Sequence, residues 1–170
     1  FKFIALKPFN NREFYKNSIF DEGSKAGSSY LIAAHKLLAK NNIQMDTIDI
    51  AKYRSAKDVY MEVPYPWEVG LWKRIIKNRE KNILFIGEPP IVNPFSYIKI
   101  CNMFFSKIFT WNDDLVDNIK YFKYFLPKTT KGIETKKVSF ESKNLLLAMN
   151  GNLLPFLPFR LLSLSTKELY

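Results

Sequence analysis

The carboxylate best placed for chemistry in this chain is Glu88. It closes the run Ile83-Leu84-Phe85-Ile86-Gly87-Glu88 and is followed at once by Pro89 and Pro90. Pro89 biases Glu88 toward an extended backbone, and the two prolines fix the chain behind it. A carboxylate held this way can serve as a general base, and partial burial behind the prolines should raise its pKa. Read from the residues alone, the same side chain could instead cap a helix or pair with a lysine. Asp113, Asp114 and Asp117 form the one acidic cluster. Two aspartates could begin an oxygen-ligand site for a divalent cation, but an N-cap plus exposed turn charge accounts for them more simply. His35, the sole histidine, sits on the polar flank of a helical pattern with no nucleophile elbow nearby, so a surface or helix-packing role is expected. The stretch Gly23–Ser29 combines glycines and hydroxyls before a helix but lacks phosphate-loop spacing, so N-capping by a serine is expected there. Cys101, with Ile100, Met103 and Phe104 beside it, reads as an inert thiol on a buried helix face.

These side chains need a scaffold. A short apolar run bounded by Gly and Pro suits a strand inside a parallel sheet, and open α/β sheets bind ligands beyond the carboxyl ends of their strands. Before it, Phe1 to Leu6 alternates as a first strand, and Lys7 to Glu22 reads as a long surface loop. A helix is expected from about Ser28 to Asn41, burying Leu31, Ala34, Leu37 and Leu38. Ile43 to Ile50 is a second strand and Val59 to Val63 a short one. Trp67 to Asn78 is a helix with Val69, Leu71, Trp72, Ile75 and Ile76 on its apolar face, and its basic last turn suits the helix dipole. After Glu88, a helix is expected over Phe95 to Phe105, a strand over Lys107 to Thr110, a turn capped by Asn112 and Asp113, and a strand over Tyr121 to Leu126. Lys128 to Lys143 is polar and lysine-rich. Asn144 to Met149 is a strand candidate ending at Asn150, and Arg160 to Tyr170 opens a further helix. Strands alternating with helices in this way predict an α/β fold, a Rossmann-like and mostly parallel sheet with helices on both faces.

The chain has 170 residues, of which 47% are hydrophobic and 16% aromatic, enough for a real core in one domain or two small ones. One cysteine excludes an internal disulfide and any cysteine-based zinc site. The formal charge of +10 favours anionic partners, whether nucleotide sugars, an anionic membrane surface or nucleic acid, although a solvated basic surface accounts for it as simply. No nucleic-acid-binding module is recognisable, so nucleic acid is not an expected partner. No signal-peptide pattern is visible, and Asn150, Pro155, Pro158 and Arg160 interrupt the most apolar stretch, Leu145 to Leu164. A cytoplasmic location, with peripheral contact to an inner membrane, is the expectation.

Three segments in order carry a resemblance: Gly87-Glu88-Pro89-Pro90, then Ile108-Phe109-Thr110-Trp111-Asn112-Asp113-Asp114, then Tyr124-Phe125-Leu126-Pro127. Each ends a predicted element. Together they resemble the bacterial members of the α1,3-fucosyltransferase family, glycosyltransferase family 10, over about Ile83 to Tyr170 and more loosely before it. Animal members carry Glu-Ser-Pro, Phe-Asn-Trp-Thr and Val-Pro-Tyr-Gly in the same order. The resemblance implies a two-domain GT-B fold whose halves face each other across a cleft. It assigns residues 1–143 to the acceptor-side domain and residues 144–170 to the opening of the domain that binds GDP-fucose. It implies transfer of L-fucose from GDP-fucose, with inversion, to a hydroxyl of an acceptor oligosaccharide, N-acetylglucosamine of an N-acetyllactosamine-like unit in bacterial surface glycan synthesis. Glu88 matches the family's proposed base, and Asn150 matches the Asn of a Ser-Asn pair that contacts the donor diphosphate. Pro89 and Met149 replace the serines of those motifs, so any hydroxyl contribution there is absent. Trp111 matches only in part, and packing is its expected role. No essential metal or other cofactor is implied. The resemblance also implies that these residues alone lack most donor contacts and are inactive in isolation. Two other readings stand beside it: a different nucleotide-sugar transferase on the same scaffold, and a non-catalytic basic module for nucleic acid or anionic membrane.

Overall fold

The computed structural model describes residues 2–9, 11–24, 27–51 and 57–125. These residues belong to one compact unit, Phe1–Pro127. The segments expected over 128–170, Asn150 among them, and the 143/144 domain boundary lie outside the described residues.

Six strands form one sheet: β1 (Lys2–Lys7), β2 (Ile43–Thr47), β3 (Lys57–Tyr60), β4 (Asn82–Ile86), β5 (Lys107–Thr110) and β6 (Tyr121–Lys123). Their spatial order is β2-β1-β3-β4-β5-β6, and every neighbouring pair is parallel. The chain first steps outward from β1 to β2. It then returns to the other side of β1 as β3 and continues outward to β6. The direction of winding therefore reverses between β1 and β3, and in open parallel sheets a ligand crevice forms at the carboxyl edge of such a reversal.

Three α-helices accompany the sheet: α1 (Ser29–Lys40), α2 (Val69–Lys77) and α3 (Lys99–Asn102). The strand register sorts side chains to two faces. On one, Tyr60, Leu84, Ile86 and Ile108 pack with Ile75 of α2 and with Phe105. On the other, Leu6 and Met45 pack with Leu31 of α1 and with Ile19 and Phe20, while Val59 and Phe85 border the same cluster. Helices thus cover both faces of a Rossmann-like α/β sheet, as its alternating elements imply. The central strand β4 buries Leu84 and Ile86 fully on the α2 face and leaves Ile83 and Phe85 half-buried on the other.

Several elements depart from the sequence reading. The segment after β1 is not simply a surface loop, because Ile19 and Phe20 are buried in the core. Asn17 makes this possible. It adopts a left-handed backbone (φ 63°), its Oδ1 accepts from the Thr47 N–H at 2.7 Å, and its Nδ2 donates to Asp46 Oδ1 at 2.8 Å. Asn and Asp tolerate that conformation better than other non-glycine residues, and here the side chain also fastens the loop to the edge strand. Ser28 stands at the N-cap of α1 but makes no side-chain cap bond. Its hydroxyl lies beside the Tyr30 side chain instead. The loop before it turns on Gly27, where a Cβ would run into the carbonyl oxygen of Asp21.

Both long helices bury narrower stripes than their apolar residues suggest. Leu37 is exposed on α1 while Ile32 is buried, and Val69 and Ile76 are exposed on α2 while Ile75 is fully buried. The helix expected over Phe95 to Phe105 is broken into a 3-10 turn, Pro94–Tyr97, and the short α3, with Ile98 extended between them (φ −81°, ψ 115°). Side chains of this segment bond backbone groups inside it and beyond it. Ser96 Oγ accepts from the Val63 N–H at 3.2 Å, and the Asn102 amide donates to the Ser96 carbonyl at 3.1 Å. The face assumed for that helix opens with it: Ile100 and Met103 are exposed, and Cys101 is only partly buried.

β3 starts at Lys57 and ends at Tyr60, earlier than expected. The Met61 N–H still bonds the Lys7 carbonyl at 3.0 Å, after which Glu62 leaves the ladder. Among the described residues no helix is long and apolar enough to cross a membrane.

Candidate functional site

Glu88 follows β4 directly, at the carboxyl edge of the sheet and one strand from the winding reversal. It is half-buried. The Tyr97 hydroxyl donates to its backbone carbonyl at 2.9 Å, which ties the Glu88-Pro89-Pro90 segment to the 3-10 turn Pro94–Tyr97. Burial pushes the Glu88 carboxyl above the usual carboxylate range, and the negative charge of Glu62 adds to the rise. The expected pKa direction is therefore what the geometry produces, with a second carboxylate contributing that the sequence reading did not single out.

Glu62 belongs to a buried polar array at the reversal itself. Lys7, the last residue of β1, has a side chain with no exposed surface, and its Nζ lies 3.1 Å from Glu62 Oε1. The Asn93 amide donates at 3.1 Å both to Glu62 Oε2 and to the Val63 carbonyl. Two bonds from Nδ2 to acceptors fix the amide's orientation, and they leave Asn93 Oδ1 buried without a hydrogen-bond partner. Taking two charges out of water is costly unless they are paired and hydrogen-bonded, and both conditions hold here. Signals for this array were present in the sequence. Lys7 ends an apolar strand, and Glu62 interrupts Val59-Tyr60-Met61-Glu62-Val63. A charge inside an apolar run is the kind of local inconsistency that marks functional or strained positions.

Tyrosines surround the carboxylates. Burial raises the pKa of Tyr30 on α1, and the Glu88 charge raises it further. Tyr97 is raised chiefly by burial. The Trp111 indole lies close enough to the Tyr97 hydroxyl to offset part of that rise, yet its N–H is buried without a well-aligned hydrogen bond. Trp111 thus packs beside the residue that anchors Glu88. Tyr15, from the loop after β1, is pushed up to about 12 by burial first and then by the charges of Glu68, Asp49 and Glu62. These tyrosines stay protonated at neutral pH and present O–H groups.

In the acidic cluster after β5, the Asp113 and Asp117 carboxylates have partners within the chain. Asp113 pairs with Lys123 at 2.6 Å, and the Asn112 side chain accepts from the Asp114 N–H at 3.0 Å. Asp117 Oδ1 accepts from the N–H groups of Ile119, Lys120 and Tyr121, each at 2.8 Å, and those bonds hold its pKa below the usual range. Among the described residues no three His, Cys, Asp or Glu side chains come together as a metal cluster. His35 stacks on Phe20 at 4.6 Å and 10°, a helix-packing role. Burial raises the Cys101 thiol, which keeps it protonated and unreactive.

The structure thus brings Glu88, Glu62, Lys7, Asn93 and Tyr97 to one edge of the sheet. A hydroxyl entering beside Glu88 would meet a carboxylate of raised proton affinity on a fixed backbone, which is the requirement for general-base chemistry. No protein-family model, curated protein or solved structure matches the chain.

Proposed function

We propose that this chain is the acceptor-side domain of a GT-B nucleotide-sugar glycosyltransferase, with Glu88 as its general base. The observation that carries the reading is the setting of Glu88. It is a half-buried carboxylate of raised pKa, on a backbone held by two prolines and the Tyr97 hydroxyl, at the ligand-binding edge of an all-parallel sheet. The fucosyltransferase-like order of motifs around it gives the substrate class: L-fucose from GDP-fucose, delivered to a hydroxyl of an acceptor saccharide of N-acetyllactosamine type.

In the proposed step, the Glu88 carboxylate accepts the proton of the acceptor hydroxyl. The oxygen forms a bond to the anomeric carbon while the bond from that carbon to the diphosphate oxygen breaks. GDP leaves with the electron pair, and the configuration inverts. Such a base typically contributes ~10²–10⁴ in rate. Lys7 and Asn93 hold Glu62 in place beside this centre. The Glu62 charge makes loss of the Glu88 proton less favourable, so the base is stronger than an isolated carboxylate. Donor contacts are assigned to the second half of the enzyme, with Asn150 at its opening.

The test uses the full-length protein with GDP-fucose and N-acetyllactosamine, following GDP release and the fucosylated product. Transfer that falls at least ~10²-fold in Glu88→Gln, with donor binding kept, is the expected result. Absence of transfer with GDP-fucose and with other nucleotide sugars would overturn the reading. A basic binding module would instead show steeply salt-dependent binding to anionic polymer or lipid that is indifferent to Glu88.

A further inference from the structure

A second feature lies near the Glu88 edge and has no part in the proton transfer. Tyr65 is enclosed by Pro64 and Pro66, and Trp67 follows. The Trp67 indole stacks on the Tyr65 ring at 4.7 Å and 7°, yet Trp67 remains 65% exposed. One face of the indole is therefore supported from beneath and the other is open. The support is rigid. The Tyr65 N–H donates to Glu68 Oε2 at 2.7 Å, and the Trp72 indole N–H donates to the Tyr65 carbonyl at 3.1 Å. The Tyr65 ring meets Phe95 edge-on at 5.9 Å.

Around this platform Arg12, Tyr15, Tyr65, Trp67 and Glu68 line a concavity of about 570 Å³. That is the composition of a small-ligand site: an aromatic floor with a few polar groups at its rim. An aromatic face carries partial negative charge and attracts the slightly positive C–H face of a pyranose ring. A guanidinium, a phenol and a carboxylate beside it can bond the equatorial hydroxyls that the stacked ring projects. The Tyr15 phenol, its pKa pushed up to about 12 by burial, is protonated at neutral pH and can donate. The site is physically joined to the Glu88 region. Phe95 and Tyr97 share the 3-10 turn Pro94–Tyr97, and Tyr97 bonds the Glu88 carbonyl.

We propose that this concavity is a saccharide subsite, with Trp67 as a stacking platform for a pyranose of the acceptor chain other than the one whose hydroxyl reacts. That it binds a saccharide follows from its own geometry; that the saccharide is the acceptor rests on the glycosyltransferase reading above. The consequence is a preference for acceptors longer than a disaccharide.

The experiment compares direct binding and transfer in the full-length protein. Its probes are N-acetyllactosamine and the tetrasaccharide of two such units, tested with wild type, Trp67→Ala, Trp67→Phe and Glu88→Gln. Stacking of this kind corresponds to up to about tenfold in affinity. Wild type and Glu88→Gln are expected to bind the tetrasaccharide about tenfold tighter than the disaccharide. Trp67→Ala should lose that advantage without a change in disaccharide binding, and Trp67→Phe should keep most of it. Circular dichroism confirms that each variant is folded. Equal tetrasaccharide binding by wild type and folded Trp67→Ala overturns the proposal, as does failure of both sugars to bind. The two readings fail separately. Trp67-dependent sugar binding without transfer from any donor would leave the subsite standing and remove the enzyme. Transfer whose KM for the longer acceptor ignores Trp67→Ala would leave the enzyme and remove the subsite.

Discussion

Replacing Arg74 with Met tests how α2 is docked on the sheet. Asp58 lies at the start of β3 with no exposed surface, and Arg74 grips it with two bonds, Nε at 2.8 Å and Nη2 at 2.9 Å. Asn78 adds a third at 3.1 Å. The hydrogen bond to Asp58 and the charge of its carboxylate hold the Arg74 guanidinium above its ordinary pKa, so Arg74 stays charged throughout the accessible pH range. Arg74→Met keeps most of the aliphatic stem but leaves a buried carboxylate with its chief partner gone. Breaking a buried pair from one side costs about 3–5 kcal/mol. The surviving Asn78 bond places the expected loss near the lower end, about 3 kcal/mol. In a urea titration followed by tryptophan fluorescence, an m-value of about 2 kcal/mol/M turns this into a midpoint lower by roughly 1.5 M. The thermal midpoint should fall by on the order of 10 °C. A built-in control is Lys36–Glu22, which is closer at 2.6 Å but has side chains 60% and 68% exposed. Lys36→Met should cost under about 1 kcal/mol, because surface pairs contribute little whatever their distance. The double variant Asp58→Leu/Arg74→Met should recover much of the loss, since apolar residues of similar volume replace a buried pair with little penalty. An Arg74→Met cost below about 1 kcal/mol would refute the reasoning, because it would mean that Asp58 is not a buried charge dependent on α2.

Glu62→Gln removes the charge that helps raise the Glu88 pKa. The acid limb of the transfer rate against pH should therefore move to lower pH; a limb that stays in place would show that Glu62 does not act on the base. The same shift has a stability consequence. A carboxyl whose folded pKa lies above its unfolded value binds protons more tightly when folded, so stability declines as pH rises from the unfolded toward the folded pKa. Glu88→Gln should be more stable than wild type above that window, with the advantage vanishing below it; urea midpoints at acid and neutral pH check this. Ile75→Ala should cost about 2–5 kcal/mol, while Ile76→Ala, one position on but exposed, should cost under about 0.5 kcal/mol in the same titration.

The sheet was legible in the sequence because its signals are local. The apolar run in β4 and the strand-helix-strand order each specify an element without knowledge of the rest, whereas β1, expected to alternate, buries Ala5, Leu6 and Lys7 in succession. Glu88 was legible for the same reason, since Gly and two prolines mark its strand end in adjacent residues. The failures are long-range. Nothing local in Pro94–Asn102 announces that Ser96 and Asn102 bond backbone groups and break the helix. Apolar residues such as Leu37 and Ile76 fit a helical stripe by spacing, but they belong to neither core cluster and stay exposed, because burial is decided by the partner surface. Glu62 and Lys7 stand far apart in sequence and meet only because β1 and β3 are neighbours. No periodicity predicts that pairing, although each charge alone was conspicuous in an apolar run.

Whether Glu88 takes the proton of an acceptor hydroxyl is decided by one comparison. The full-length protein and its Glu88→Gln variant are given GDP-fucose and N-acetyllactosamine, with donor affinity measured in parallel. Transfer by the wild type, a loss of at least ~10²-fold in the variant and unchanged donor binding are expected. Transfer at the wild-type rate by Glu88→Gln would contradict that proton transfer.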